Sequence, residues 1–171
     1  MPLPKDYIAP KRDRQDEGQD SSVDEGYLPF DIERQGIEQE NSYSCGVGCF
    51  ATVAKILGRD DLSYKALESA LNPSAKLGTE QEHILTLARE EFKGTTGGES
   101  TYPGGLAIAS ITHFAARPEG SGHYYVLFGV EQGIYRCYCP YLHEVLEIPQ
   151  AELVWKNGDG SYENWSVNFS L

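Results

Sequence analysis

Positively charged side chains are scarce in this sequence. Its 171 residues include 14 lysines and arginines against 26 aspartates and glutamates, which gives a formal net charge of −12. Such a surface repels phosphate groups, so neither nucleic acid nor an anionic membrane is expected as a partner. No apolar run is long enough to cross a bilayer, and the first residues lack the apolar core of a signal peptide. We therefore expect a cytoplasmic protein that does not insert into a membrane.

Cysteine is rare as well, with four residues in the chain. A secreted domain held together by disulfides would have a higher density of cysteine, so we expect these thiols to be reduced. The glycine-rich segment 94–105 contains neither the GxGxxG nor the GxxxxGK[ST] pattern of a phosphate-binding loop. We interpret that segment as a connector between two halves of the chain.

Residues 1–26 are mostly polar and charged, and they contain too little apolar surface to offset the entropy lost on ordering. We interpret them as a flexible acidic tail. The remaining residues, 27–171, suit a single domain. Their apolar residues follow a helical period in the first half and form branched and aromatic runs of strand length in the second. This order predicts an α+β domain in which an N-terminal helical half packs on a C-terminal antiparallel sheet.

Capping signals predict the helix boundaries. One helix begins at Cys45 and ends before Gly58, a favoured residue just after a helix. A second covers 60–71 with Ser63 as its cap, and a third follows a capping box formed by Thr79 and Glu82. The predicted strands cover residues 106–111, 123–130, 134–139, 144–148 and 165–169.

Cys45 is the candidate nucleophile, because it follows a polar loop and opens an apolar helix. Unpaired N–H groups at a helix start and the helix dipole favour the thiolate, which is the form that attacks carbonyl carbons. Gly46 keeps the backbone beside the sulfur open, and Gln39 is placed to donate to a developing oxyanion. The competing interpretation is structural, since free cysteine is often buried as a small apolar residue. Cys49 and Cys137 are expected in the core.

His123 is the candidate partner of that thiol. It opens a predicted strand after a short glycine-rich turn, so its ring is expected at the rim of the sheet. A cysteine nucleophile needs an imidazole to take its proton and later pass it to the leaving amine. His113 and His143 are weaker candidates for this partner. His83 is expected to face solvent near a helix start.

Several short motifs occur together in a fixed order: Gln39-x5-Cys45-Gly46, the helix end KILG at 55–58, Gly78-Thr79, GHYYV at 122–126, and a strand that ends before Pro140. In this order they resemble the peptidase C39 family over about residues 33–157. These are papain-like cysteine proteases that remove double-glycine leader peptides. The resemblance implies a papain-like fold with Cys45 as nucleophile, Gln39 as oxyanion donor and His123 as general base and acid.

One position departs from that family. The family ends this strand in an Asp-Pro pair whose aspartate orients the imidazole, whereas this chain has Cys139-Pro140, which leaves Cys139 at the third triad position. A neutral thiol stabilises imidazolium less than a carboxylate does, so lower activity is expected. Asn157, Asp159 and Asn164 are alternative orienting groups that the spacing does not separate.

The sequence therefore favours a cysteine peptidase that acts on a peptide or protein substrate through an acyl-enzyme, without metal or cofactor. Two alternatives remain open: a weakened C39-like domain that binds a peptide, and a Cys-His acyltransferase or deamidase. A third class would use Cys45, His123 and Cys139 to bind zinc, or join Cys45 and Cys139 in a disulfide. The oligomeric state and the bond cut are not specified by the sequence.

Overall fold

The structure, a computed structural model, describes residues 26–97, 102, 104–111, 123–153 and 164–170. Nearly all of the expected tail (1–26) lies outside the described residues. Gly26, the last residue of that segment, is already paired with Val130 in the sheet. No helix of the described part is long and apolar enough to span a bilayer.

The described chain contains helices first and strands second. The helices are α1 (Ile32–Gln35), α2 (Cys45–Ile56), α3 (Tyr64–Leu71) and α4 (Gln81–Glu91). The strands are β1 (Gly26–Tyr27), β2 (Thr96–Gly97), β3 (Leu106–Ile111), β4 (His123–Glu131), β5 (Ile134–Cys139), β6 (Glu144–Pro149) and β7 (Trp165–Phe169), with a short 3-10 turn at Gln150–Glu152.

Helix α2 begins and ends as the sequence predicts. It starts at Cys45, and Gly58 after its end has a φ of +77°. That left-handed residue lets the N–H of Arg59 reach the carbonyl of Ala54 at 2.8 Å, which closes the helix. Ten residues of α2 are buried, because it lies between the sheet and α3.

The starts of α3 and α4 differ from the predicted ones. Ser63 caps α3 through a 3.1 Å hydrogen bond from the N–H of Ala66, but the helix starts at Tyr64 and not at residue 60. The predicted capping box of α4 is wrong: the N-cap is Glu80, and no side chain caps the helix. The Thr79 side chain faces α2 instead, as described below.

All strand pairs are antiparallel. The order is β2-β7-β3-β4-β5-β6, and β1 pairs with β4 in addition. Strand β4 is therefore central, and eight of its nine residues are buried. Gly129 in this strand has a φ of +144°, and a Cβ there would lie 2.7 Å from the Cα of Tyr27, so the close approach of β1 requires glycine.

Apolar side chains fill both faces of the sheet. On one face α2 and α4 pack on the strands, and α3 packs on these two helices. The buried cluster there includes Phe50, Ile108, Val126 and Tyr138. The opposite face carries a second buried cluster that includes Tyr125, Leu127 and Cys137. The expected fold, an α+β domain with a helical half packed on an antiparallel sheet, is confirmed.

Candidate active site

The loop before α2 is fixed by a side chain from α3. The hydroxyl of Tyr64 accepts a hydrogen bond from the N–H of Glu40 at 2.9 Å and lies 2.8 Å from Oγ of Ser44. Ser44 is the N-cap residue, but its side chain makes no capping bond to the helix. The backbone N–H groups of Cys45 and Gly46 each lower the pKa of the Cys45 thiol.

Cys45 is the cysteine that solvent can reach. It is 9% exposed, whereas Cys49, Cys137 and Cys139 are each 0% exposed. Burial raises the pKa of the Cys45 thiol above its ordinary value, and a hydrogen bond from the N–H of Tyr124 opposes that shift only in part. We expected the helix start to favour the thiolate, but it does not. Desolvation raises the pKa of Cys45 by more than the N–H donors lower it.

Two glycines bring other elements against the first turn of α2. A Cβ at Gly46 would lie 2.7 Å from Cβ of Thr79, and one at Gly48 would lie 2.8 Å from Cβ of Pro140. Gly48 also faces the backbone of Gln39. The loop before α4, the end of β5 and the segment of Gln39 therefore all meet at the start of α2.

His123 is the first residue of β4 and is paired with Ile111 of β3. It is buried, and the rings of Tyr125 and Tyr141 meet it edge-on with centroids 4.8 and 6.3 Å away. Tyr124 is its chain neighbour, and the backbone N–H of Tyr124 lowers the pKa of the Cys45 thiol, against the larger effect of burial. The thiol of Cys45 therefore lies beside the first residues of the strand that His123 opens.

Cys139 contacts the imidazole. Its Sγ lies 3.5 Å from Nε2 of His123 and 3.5 Å from the backbone N of Leu142, which donates to it. Cys139 thus lies next to the ring, where the resemblance to the C39 family implies a third triad member. Asn164 lies just before β7, and the register through β3 separates it from His123 by two strand spacings, about 10 Å. Asn157 and Asp159 lie outside the described residues.

Gln39 lies between the cysteine helix and Pro140. Its backbone N–H donates to the carbonyl of Pro140 at 3.2 Å, and its Nε2 donates to the carbonyl of Asn41 at 2.7 Å. A carboxamide nitrogen carries two protons, so one N–H remains for another acceptor. Its Oε1 is buried and has no hydrogen-bond partner among the described residues.

Searches for related sequences and structures gave different results. No family model and no curated protein matches the sequence. Solved structures do match. The peptidase domain of Streptococcus ComA, a bifunctional ABC transporter of a quorum-sensing pathway, superposes with a TM-score of 0.60 at 17% identity, covering 80% of this chain and 98% of that one.

Two further structures give the same result. A double-glycine-motif protease from an AMS/PCAT transporter, solved with its leader peptide, has a TM-score of 0.58 at 18% identity over 78% of this chain and 88% of that one. The peptidase domain of Streptococcus mutans ComA has a TM-score of 0.51 at 14% identity, covering 80% and 99%. The fold is that of double-glycine peptidase domains. At these identities the likeness establishes the C39 peptidase fold and not the activity.

Within this C39 peptidase fold, two of the other three histidines have structural partners. Nδ1 of His143 lies 2.9 Å from the hydroxyl of Tyr138, and Nδ1 of His83 lies 3.1 Å from the carbonyl of Leu71 at the end of α3. His83 was expected to face solvent, but its ring binds that helix end. His113 lies outside the described residues.

The metal and disulfide alternatives find no support in the described part of the chain. No three histidine, cysteine, aspartate or glutamate side chains there are grouped so that they could hold a metal ion. All four cysteines are free. Cys49 and Cys137 are core residues, as expected, and burial raises the pKa of each thiol well above its ordinary value.

Sequence reasoning gave three residues beside Cys45 no role at the site. Tyr64 holds the loop before Cys45, the backbone N–H of Tyr124 lowers the pKa of the thiol, and Thr79 packs on Gly46. Tyr64 and Tyr124 each show the spacing of an ordinary inward-facing residue. Thr79 and Tyr124 belong to motifs of the C39 resemblance, but Thr79 was assigned to a helix cap and no local signal indicated what either residue contacts.

Proposed function

We propose that the protein is a cysteine peptidase of the C39 type, with Cys45 as nucleophile and His123 as general base and acid. The observation that carries the proposal is the contact between Cys139 and Nε2 of His123. With Nε2 engaged by the sulfur of Cys139, Nδ1 is the ring nitrogen assigned to proton exchange with Cys45. A ring held at one nitrogen while the other serves the nucleophile is the arrangement that thiol and serine hydrolases share.

The reaction follows from this assignment. Nδ1 of His123 takes the proton of Cys45, and the sulfur attacks the carbonyl carbon of the scissile peptide bond. The oxyanion accepts hydrogen bonds from the N–H of Cys45 and from the remaining N–H of Gln39. The imidazolium then protonates the leaving amine and a thioester forms. Water, deprotonated by His123, hydrolyses the thioester to a carboxylic acid and restores the thiol.

Cys45 is expected to be a neutral thiol in the resting protein. Burial raises the pKa of Cys45, so little thiolate exists before substrate arrives. Proton transfer then accompanies the attack on the carbonyl carbon. A carboxylate beside His123 would favour the charged pair, and Cys139 supplies a weaker acceptor.

A peptide is the proposed substrate. One of the structural neighbours, the AMS/PCAT protease, was solved with a leader peptide bound. In this chain the large apolar side chains that are most exposed among the described residues are Leu77, Tyr141 and Leu142. Leu77 precedes Gly78-Thr79, and the other two follow Cys139-Pro140, so all three border the proposed site. Exposed apolar groups beside a reactive thiol suit a peptide with apolar side chains.

The test is cleavage of a peptide library by the purified chain, read by mass spectrometry. We expect cleavage that is lost in Cys45→Ser and in His123→Ala. The matched control is Cys49→Ser, which removes a thiol one helical turn further along α2 and should keep the cleavage pattern. Cleavage that survives in Cys45→Ser would contradict the proposal.

A second function, peptide binding without turnover, is favoured by one observation, the sulfur of Cys139 in place of a carboxylate beside His123. In that case the chain would bind library peptides and release them uncut. Binding that persists unchanged in Cys45→Ser, together with no product from the parent chain over long incubation, would select this function over the peptidase.

A further inference from the structure

Two tyrosine rings contact the imidazole of His123, in addition to the sulfur of Cys139. The ring of Tyr125 lies 4.8 Å from the imidazole, centroid to centroid, and is inclined to it by 76°. The ring of Tyr141 lies 6.3 Å away at an angle of 84°. Both distances fall in the range of about 4.5–7 Å over which edge-on aromatic pairs attract each other.

The two tyrosines reach the imidazole from different elements. Tyr125 is two residues further along β4, whereas Tyr141 lies in the turn after β5. Their exposure differs as well, because Tyr125 and His123 are 1% and 6% exposed and Tyr141 is 54% exposed. The ring of Tyr141 therefore reaches from solvent to a buried imidazole.

The turn that carries Tyr141 is held by bonds that do not involve its side chain. The carbonyl of Cys139 accepts a 2.8 Å hydrogen bond from the N–H of His143, and the thiol of Cys139 accepts one from the N–H of Leu142 at 3.5 Å. These two bonds close the turn around Tyr141. Replacing the side chain of Tyr141 is therefore expected to leave the backbone of the turn in place.

We propose that Tyr141 is a positioning residue which, together with Tyr125, holds the imidazole of His123 in the orienting role that an aspartate has in the C39 family. A carboxylate would fix the ring through a charge-assisted hydrogen bond, which is short and strong. The sulfur of Cys139 lies 3.5 Å from Nε2 and is a weak partner, so it leaves the ring more freedom to rotate. Edge-on contacts from two elements restrict that rotation, because turning the imidazole would break them.

The benefit of this arrangement for catalysis rests on His123 being the general base of the proposed peptidase. A base that is already aimed loses less freedom on the way to the transition state. The test reads the imidazole itself, in the absence of substrate. A chain that cleaves no peptide would therefore still support or overturn the role of Tyr141.

The experiment is NMR relaxation of the chain labelled with carbon-13 in its histidine rings, and it yields the order parameter of the His123 ring C–H bonds. The signals of His123 are those absent from His123→Ala. We expect an order parameter of about 0.85 in the parent and below about 0.6 in Tyr141→Ala, the values of rigid and flexible backbone sites. Tyr141→Phe keeps the ring and should match the parent. If Tyr141→Ala does not fold, Tyr141→Leu replaces it.

Two comparisons separate orientation of the imidazole from damage to the fold. His83 is the internal control in the same spectra, because its ring binds the carbonyl of Leu71 at the end of α3, and its order parameter should be equal in all variants. The second comparison is the double variant of Cys139→Asp with Tyr141→Ala. A carboxylate should hold the imidazole without the tyrosine, so the order parameter of His123 should stay near the parent value.

Three results would overturn the proposal. An order parameter of His123 that is equal in Tyr141→Ala and in the parent would show that the tyrosine does not hold the imidazole. Equal loss in Tyr141→Phe and Tyr141→Ala would assign the effect to the hydroxyl and not to the ring. Equal loss from Tyr141→Ala with and without Cys139→Asp would show that Tyr141 supports the turn and not the imidazole.

Discussion

The sulfur of Cys139 lies 3.5 Å from Nε2 of His123, at the end of β5 next to the start of β4. In the C39 family that the sequence resembles, an aspartate fills this position. The thiol can still orient the ring, because its sulfur lies within hydrogen-bond distance of Nε2 and accepts from the N–H of Leu142. It cannot offer the full negative charge of a carboxylate to imidazolium. In the proposed peptidase, Cys139 is therefore a weaker third member than an aspartate would be.

Replacing Cys139 by aspartate should raise turnover. A hydrogen bond to a charged group contributes about 1.5–3 kcal/mol, so kcat is expected to rise by roughly tenfold or more. Cys139→Asn is the matched control, since asparagine has the shape of aspartate without the charge and should give no such gain. The measurement is steady-state cleavage of a peptide substrate. Unchanged turnover in Cys139→Asp, with activity abolished by Asn164→Ala, would place the orienting group elsewhere.

Adding a methyl group at Gly46 should destabilise the protein, although alanine is the better helix former by about 1 kcal/mol. The added Cβ would lie 2.7 Å from Cβ of Thr79, closer than carbon atoms approach. We expect Gly46→Ala to lower the free energy of unfolding by about 1–3 kcal/mol in a denaturant titration. The double variant with Thr79→Gly should recover part of that loss. A Gly46→Ala chain that is more stable than the parent would refute the contact.

Tyr64→Phe should weaken the loop before Cys45. It removes the hydroxyl that accepts from Glu40 and lies against Ser44, and it leaves the ring in place. We expect a loss of about 1 kcal/mol in the free energy of unfolding and a lower kcat, because Gln39 and Cys45 lie at the two ends of that loop. Ser63→Ala is the control, since it removes the cap of the same helix without touching the loop. An equal effect of both variants on kcat would mean that Tyr64 acts only through α3.

The parts of the fold that the sequence predicted are those set by local patterns. Helix α2, its end at Gly58 and the five long strands follow from apolar periodicity and turn residues, and they agree with the structure to within a residue or two. The start of the second helix was placed four residues too early, although its cap at Ser63 was right. Boundaries depend on tertiary contacts more than element types do.

Only part of the site was predicted, because the rest also depends on tertiary contacts. The contact of Cys139 with His123 follows from the resemblance to the C39 family, in which the residue before this proline orients the imidazole. The raised pKa of Cys45 does not, because desolvation depends on what packs over the helix start and no neighbour in sequence reports it. Thr79 was assigned to a capping box from its spacing to Glu82, but contact with Gly46 prevails over that local preference.

Alkaline pH should destabilise the fold through its buried thiols. The pKa values of Cys49 and Cys137 are raised well above the ordinary 9.0 by burial, so the folded state keeps these thiols neutral when the unfolded chain ionises. Their contribution to stability is fully present below pH 9.0 and is lost as the pH rises from there toward the folded-state pKa.

We therefore expect the free energy of unfolding to fall above pH 9.0 by ~1.4 kcal/mol per pH unit for each such thiol. Denaturant titrations at a series of alkaline pH values measure this slope. Cys49→Ala should reduce the slope by the share of one thiol. A slope that is identical in parent and variant would mean that Cys49 does not ionise on unfolding in this range.

The central claim is that Cys45 forms an acyl-enzyme with the help of His123. The most direct measurement is intact mass spectrometry after brief reaction with an activated ester of a short peptide, followed by mapping of the adduct. The account predicts one acyl group on Cys45 in the parent, none in Cys45→Ser, and strongly slowed acylation in His123→Ala. Acylation of Cys45 at the parental rate in His123→Ala, or an adduct on another residue in its place, would contradict it.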